Sequence, residues 1–232
     1  MSMRLPPGIQ CGSQFPTSLF ARANAALGKV NSDSGANVQI LLSYNYDGGV
    51  TGEVLYYDGG DDVTYVATFV NGVAVSVVAL ASRPDLGIWY LFFLEILGQG
   101  AADQRAGFIN VLTGVAVTNT CQALTSAQKA TNNNQSLGSV TSQIAADFDW
   151  WRLYQAGKTN AQWLEEGGTS KSRYSAYADF ILPDGTTVTD QSGNGNTWTS
   201  QGGANSTGDT YVYQRKSFTP RVPASTQRAA FR

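Results

Sequence analysis

The chain has no histidine in its 232 residues. That excludes a Ser-His-Asp triad, a Cys-His pair, His-ligated zinc and imidazole acid–base catalysis. Cysteine is almost as scarce: Cys11 and Cys121 allow at most one intramolecular disulfide and cannot build a four-cysteine metal site. No GxSxG, GxxxxGK[ST] or GxGxxG occurs, so nucleophile-elbow and phosphate-cradle chemistry have no footing. Charged residues make up only 14%. Long apolar runs are missing too. The longest, Ile88–Leu94, stops at Glu95, far short of the ~20 residues a membrane helix needs. The opening stretch "MSMRLPPGIQCGSQFP" has no apolar segment of the kind a secretory signal requires. The expectation is a chain made in soluble form, with no membrane partner.

Hydrophobic residues reach 42% and aromatics 11%, enough for a sizeable core. With abundant Gly, Ser, Thr and Asn, this mixture suits strands and turns. The net charge of −2 is unevenly spread: residues 1–209 hold all 17 acids and 10 of the 15 bases, and the rest are Arg215, Lys216, Arg221, Arg228 and Arg232. This basic tail reads either as solvated chain or as a partner-binding segment for an acidic neighbour. The acidic body argues against nucleic acid as the partner.

Residues 1–16, with Pro6, Pro7, Gly8, Gly12 and Pro16 and no periodicity, read as an extended arm. Ser18–Ala23 could form a first strand. Val38, Ile40, Leu42, Tyr44 and Tyr46 then alternate with polar residues, Leu41 being the exception. Val54–Tyr57 and Val63–Val70 follow, separated by the acidic turn "DGGDD". Asn71-Gly72 between two β-branched runs predicts a two-residue type I′ hairpin. Ile88–Leu97 is apolar on both faces, as a central strand of a packed sheet would be. Phe108–Leu112 and Val115–Thr118 form another pair; residues 119–143 read mainly as loop; 147–154 is again a strand. A helix is expected at Asn160–Glu166, with Thr159 or Asn160 as N-cap and Gly167 just past its end. Many short strands with turn signals every 8–12 residues predict a single all-β domain, a two-sheet antiparallel jelly-roll sandwich over 17–210, flanked by the arm and by the tail at 211–232.

The chain is organised around Tyr177–Gly203, "YADFILPDGTTVTDQSGNGNTWTSQGG". Ala178–Leu182 reads as a strand, Pro183–Gly185 as a turn and Thr186–Thr189 as an extended run. Asp190–Asn196 then forms a polar hook that returns Trp198 to the body. Gly193 and Gly195 supply positive φ, while Asp190, Asn194 and Asn196 fold their side chains onto nearby backbone.

This hook resembles the "D-x-SGNGN" segment of concanavalin A-like and laminin-G-like jelly rolls. Other pieces fall in that family's order. "VQILLSYNYD" is similar to its early aromatic-rich strand, and "LGIWYLFFLEILGQ" to its "G-x-W-Y" strand, with Trp89 and Tyr90 matching. "AGFINVLTG" resembles a strand and turn often written "Y-x-N-G". "ADFDWWRLYQAGKTNAQWLEE" resembles the late strand and short helix, with Phe148, Asp149, Trp151, Arg152, Leu153 and Tyr154 in its "I-D-x-V-R-I-Y" positions. The match spans roughly residues 17–203. "YYDGGDD" at 56–62 is similar to the family's "FDGxDDYV" but follows the strand at 38–46 where the family's motif precedes it, so no role is carried onto it.

The resemblance implies a lectin-like sandwich. The absence of histidine removes the His-dependent polysaccharide lyases of this fold. Its glucanases place their carboxylates on one strand as "E-x-D-x-(x)-E", which no glutamate here matches, so the chain is expected to be no enzyme. A pair of carboxylates from separate strands remains as the glycosidase alternative. Calcium is the candidate cofactor, at Asp58, Asp61 and Asp62, where oxygen-rich side chains flank two glycines; Asp190 and Asn194 offer a second cluster. In both places the competing reading is turn residues satisfying their own backbone. Period-2 alternation in "FDWWRLY" sends Trp151 and Leu153 to one face and Trp150, Arg152 and Tyr154 to the other. If the first face is core, Trp150 and Tyr154, with Asp149 beside them, are candidates for glycan binding or the cover of a second layer. Trp163 reads as the helix's anchor on the sheet, and Trp198 as a core or rim plug.

Lectin-like jelly rolls work outside cells, yet no export signal is visible, and a phage or virus assembles inside and leaves by lysis. The expectation is therefore a non-enzymatic virion surface protein, a head decoration or tail-associated component held by its arms to other virion subunits or copies of itself, and able to meet a cell-surface glycan. The alternatives are a free extracellular lectin module and a glycoside hydrolase with dispersed carboxylates.

Overall fold

The structure is a computed structural model that describes residues 2–5, 10–14, 22–32, 38–44, 51–128, 134–138, 145–182, 188–196, 199–201 and 205–207. The strands, in chain order, are β1 (Ser2–Leu5), β2 (Gln10–Gln14), β3 (Arg22–Ser32), β4 (Val38–Tyr44), β5 (Gly52–Asp58), β6 (Val63–Val70), β7 (Val73–Ala79), β8 (Trp89–Ile96), β9 (Gln104–Asn110), β10 (Ala116–Cys121), β11 (Asn134–Gly138), β12 (Ala145–Tyr154), β13 (Ala178–Ile181), β14 (Thr199–Gln201) and β15 (Asn205–Thr207). The helix α1 (Asn160–Gly167) lies between β12 and β13. One sheet runs β10-β9-β8-β3-β12-β1-β15, with β13 also pairing β12; the other runs β14-β2-β11-β4-β5-β6-β7. Each pairing is antiparallel. The chain is a jelly-roll sandwich, as the pattern of short strands predicts.

Alternation explains the core. Phe92 and Leu94 of β8, Phe108 of β9, and Trp151 and Leu153 of β12 point between the sheets and meet Leu42, Leu55 and Val66 of the facing sheet. The other face of β8 and β12, with Leu91, Phe93, Trp150 and Tyr154, packs under Trp163 of α1. The eight-stranded sheet is thus covered on both sides, which is why "IWYLFFL" is apolar throughout. Polar side chains join the sheets as well. Arg22 donates to Glu53 at 3.1 Å, and both are buried. Asn24 Nδ2 donates to the carbonyls of Ser43 and Ser136 at 3.2 and 3.3 Å, while its Oδ1 accepts from Trp151 Nε1. A buried pair of this kind adds little net stability over apolar packing, but a wrong register would leave its charges unpaired.

Local expectations hold in detail. Asn71 and Gly72 have φ of 50° and 78°, the two positive values a type I′ turn requires. Thr159 caps α1 in a capping box with Gln162; Gly167 ends the helix and Gly168 caps it, one residue later than the sequence reading. Leu41 breaks the alternation because a register shift lies between Ile40 and Leu42, and both leucines are buried.

Two segments differ from the reading. The expected arm at 1–16 supplies a strand to each sheet: β1 lies between β12 and β15, and β2 between β14 and β11. Paired backbone, not side-chain periodicity, holds it there. The loop expected at 119–143 contains the end of β10 and all of β11, which lies between β2 and β4. Its Asn-Gln-Ser composition carries no apolar alternation to read. Of the strand expected at Ser18–Ala23, Arg22 and Ala23 open β3, and residues 18–21 lie outside the described residues. Residues 183–187, Trp198 and the tail bases Arg215, Lys216, Arg221, Arg228 and Arg232 lie outside the described residues.

Candidate functional site

Trp150 and Tyr154 fall on the face that alternation predicts, but both are 0% exposed and Asp149 is 6% exposed. Trp163 covers them from α1, with its ring edge-on to Tyr154 at 5.3 Å and stacked on Phe93 at 5.5 Å. A ring with no free face cannot stack on a sugar, so these residues form the second layer and the glycan-platform reading is set aside. Trp163 is the anchor the sequence suggests, and its Nε1–H donates to Glu95 at 2.8 Å. Glu95 also accepts from Arg105 Nε and the Lys158 backbone N–H, both at 2.6 Å. Burial pushes the Glu95 carboxyl above the ordinary range, against those donors. Lys158 rests its ammonium 3.7 Å from the centre of the Tyr154 ring. Burial lowers its pKa, with Glu166 and Glu95 opposing the shift.

Beside this layer lies a charged cluster that the sequence reading did not pick out. Arg152 and Asp179 are direct partners across β12 and β13. Arg152 Nε donates to Asp179 Oδ1 at 2.7 Å, and its Nη1 donates to Glu166 Oε2 at 2.9 Å. The guanidinium carbon lies 3.9 Å from the centre of the Trp150 ring. Glu166 Oε2 also accepts from the Tyr154 hydroxyl at 2.7 Å, while Oε1 accepts the backbone N–H groups of Arg173 and Tyr174 at 2.8 and 3.0 Å. The legible signal was helical spacing: Glu166 sits three residues after Trp163 and so shares its inward face.

Above the cluster opens a polar cleft of roughly 270 Å³, lined by Lys171, Ser172, Tyr174, Ser175, Ala176, Asp179, Gln191 and Ser192. One wall is the segment after α1. The other is the hook that the sequence singles out. Asp190 accepts backbone N–H bonds from Asp179 at 2.9 Å, Ser192 at 2.9 Å and Asn196 at 3.0 Å, and side-chain bonds from Ser192 and Asn196. Burial alone would raise its pKa, but these donors outweigh it and hold the carboxyl below its usual value. The Tyr177 carbonyl accepts from Ser192, Asn194 and Asn196 at 2.9, 2.9 and 2.6 Å. Gly193 and Gly195 take φ of 84° and 69°. Asp190 and Asn194 therefore serve their own turn.

The acidic turn after β5 behaves alike. Asp58 accepts from Gly60 N–H at 2.9 Å, and Asp61 from Val63 N–H at 3.1 Å and the Tyr65 hydroxyl. Asp62 accepts from the Tyr57 hydroxyl at 2.6 Å and pairs with Arg83 at 2.8 Å. Burial first, and then that bond, push the Tyr57 hydroxyl up to about 12. Among the described residues no three histidines, cysteines or acids are grouped to hold a metal ion, and the carboxylates of Asp58, Asp61 and Asp62 are bonded to their own turn, to Tyr57 and Tyr65 and to Arg83, the turn-residue reading of the two. Cys121 carries a buried free thiol. Among the described residues no helix is long and apolar enough to cross a membrane.

The topology and the cleft define an antiparallel jelly-roll sandwich with a polar surface pocket beside β13. No protein-family model matches the chain, and no curated protein matches it. Solved structures similar to it include the IT-sialidase CBM40 of Ruminococcus gnavus bound to α2,3-sialyllactose, at 12% identity over 71% of this chain and 95% of that one, TM-score 0.48. A native heptameric SAP-like pentraxin from Limulus polyphemus is similar at 10% identity over 68% of this chain and 81% of that one, TM-score 0.40. The enzymatically active domain of bacteriophage CBA120 tailspike protein 2 is similar at 12% identity over 67% of this chain and 25% of that one, TM-score 0.46.

Proposed function

We propose that the chain is a non-enzymatic surface protein of a virion, a head decoration or tail-associated subunit, whose cleft takes a hydroxyl-rich ligand of the cell-surface glycan class. The carrying observation is how the polar groups of the cleft are used. Its carboxylate, Asp179, and the nearby Glu166 and Asp190 accept bonds from arginine, hydroxyl and backbone groups. Lys171, Ser175 and Gln191, by contrast, are exposed at its rim. Committed carboxylates hold the walls, while the amine, hydroxyl and amide are the groups a sugar's hydroxyls can meet. The volume lies just below the ~300–1,000 Å³ usual for ligand pockets, which suits a small ligand rather than a long chain. The virion part is supported by the basic tail on an acidic body, a charge pairing that suits assembly with neighbouring subunits.

The test is a glycan array probed with full-length protein, beside Ser175→Ala and Gln191→Ala, together with light scattering. Saturable binding that both variants weaken, by a protein that leaves the glycan uncut, is the expected result. Cleavage of a bound glycan would overturn the non-enzymatic reading. Binding untouched by either substitution would move the site out of the cleft. A lone monomer that binds sugar would favour a free lectin over a virion subunit.

A further inference from the structure

We infer that Arg152 is the positioning residue of the cleft, setting both of its walls from beneath; the consequence for ligand affinity rests on the binding reading above, while the consequence for wall geometry does not. The cleft is bounded by two stretches without regular secondary structure, 169–177 and 190–196. Stretches of this kind hold a shape only when something buried fixes them. Here one node touches both. Asp179 Oδ2 takes the Ser172 backbone N–H of the first wall at 3.0 Å. The Asp179 backbone N–H donates to Asp190 of the second wall at 2.9 Å, and its carbonyl accepts from Gln191 N–H at 2.7 Å. The remaining oxygen, Oδ1, belongs to Arg152.

Arg152 also reaches the first wall by a second route. Its Nη1 fixes Glu166, whose other oxygen takes the N–H groups of Arg173 and Tyr174. Three successive backbone donors, at 172, 173 and 174, are thus bonded to two carboxylates that share one guanidinium. The exposure of Arg152 is 0%, and those of Glu166 and Asp179 are 0% and 3%. Arginine is required because it offers Nε and Nη at once in a fixed plane; a lysine ammonium is a single point and cannot span both carboxylates with that geometry. A wall set beforehand spares a ligand the ordering entropy of a mobile one, which is how a residue that never touches ligand changes affinity.

The experiment is amide hydrogen exchange on the full-length protein and on Arg152→Lys, with Asp179→Asn as the second variant. In Arg152→Lys the amides of Ser172, Arg173 and Tyr174 are expected to exchange at least tenfold faster, while those of Leu91–Leu94 in β8 stay protected. Asp179→Asn loosens the Ser172 amide and spares those of Arg173 and Tyr174, and the hook amides stay protected because the Asp179 backbone and Asp190 hold them. Unchanged exchange at 172–174 would overturn the inference. So would a uniform rise across the sheets, which would make Arg152 a general stabiliser; should Arg152→Lys not fold, the pattern in Asp179→Asn decides. The same glycan array then serves as the probe of affinity. A tenfold loss with the wild-type sugar preference supports the inference, and full affinity in Arg152→Lys overturns it. Selective exchange with a wild-type array that stays silent leaves the positioning role standing and removes the glycan reading.

Discussion

Replacing Trp163 with alanine tests whether the outer layer of the eight-stranded sheet is held by one side chain. Helix α1 has eight residues, too few to be stable on its own, so docking must hold it. Trp163 is fully buried, stacks on Phe93, meets Tyr154 edge-on and donates to Glu95. Truncating a buried Phe or Trp to alanine costs about 3–5 kcal/mol. Glu95 keeps its bonds to Arg105 and the Lys158 N–H, so the lost indole bond adds only about 1 kcal/mol. The expected total of about 4–6 kcal/mol is a large share of the ~5–15 kcal/mol available to a domain. With about 2–4 °C per kcal/mol at this size, Tm should fall by roughly 8–24 °C. Urea unfolding followed by circular dichroism measures the loss, and Trp163→Phe separates packing from the hydrogen bond, with an expected cost of about 1–2 kcal/mol. A cost below about 2 kcal/mol for Trp163→Ala would refute the anchor argument, as would equal costs for the two variants.

The remaining predictions concern protons, glycines and the thiol. Asp190 is held below its ordinary pKa, so its contribution to stability is full above the unfolded value of ~3.9 and is lost as pH falls through the folded one; Asp190→Asn should flatten that acid limb in urea titrations across pH. Glu95 is shifted the other way, so the folded state binds more protons than the unfolded chain and stability falls as pH rises from ~4.3 through the folded value; Glu95→Gln should abolish this slope in the same titrations. A Cβ on Gly107 would lie 2.1 Å from the Val117 carbonyl oxygen, whereas one on Gly193 meets nothing within 4 Å but sits at φ +84°. Thermal denaturation should therefore show Gly107→Ala losing about 3 kcal/mol or more through backbone displacement, and Gly193→Ala about 1 kcal/mol through strain alone. Burial pushes the Cys121 thiol up to about 11, so in a Cys11→Ser background a thiol reagent at neutral pH should react only after denaturant is added; rapid labelling of the folded protein would contradict its burial.

What could be read from the sequence was whatever a local rule enforces. Asn71-Gly72 announces its turn because few residues accept two positive φ values. The hook announces itself because glycine and short amides cluster where backbone needs side-chain partners. β8 and β12 are legible as strands since packing imposes their pattern. The failures share a cause. β1, β2 and β11 owe their places to pairing with strands distant in sequence, and no periodicity records a backbone bond. The direction of Trp150 and Tyr154 was readable, but their burial was not, because whether a face is covered depends on where α1 lands. The cleft was half legible: its hook wall was singled out, while its other wall depends on Glu166 reaching back from the end of a helix.

Charge is sparse in this chain, and much of it is inside. Glu53, Glu95, Asp147, Asp149, Glu166 and Asp179 are buried, as are Arg22, Lys29 and Arg152. Ion pairs join Arg22 to Glu53, Lys29 to Asp147, and Arg152 to both Glu166 and Asp179. Among the described residues six acids are thus buried against three bases, and four of those acids face the buried bases while Glu95 pairs with Arg105. The acidic surplus of residues 1–209 overstates the field at the surface, because part of it lies within the sandwich and faces cations there. Among the described residues the exposed acids include Asp61, Asp62, Asp85 and Glu165, and these are what a basic tail from a neighbouring subunit would meet. Coulomb attraction between exposed charges of this kind is weak and screened within about 8–10 Å at ordinary salt. Any assembly through the tail must therefore draw on more than charge, and Tyr211, Tyr213, Phe218 and Phe231, interleaved with its arginines and lysine, are the side chains that can supply apolar contact.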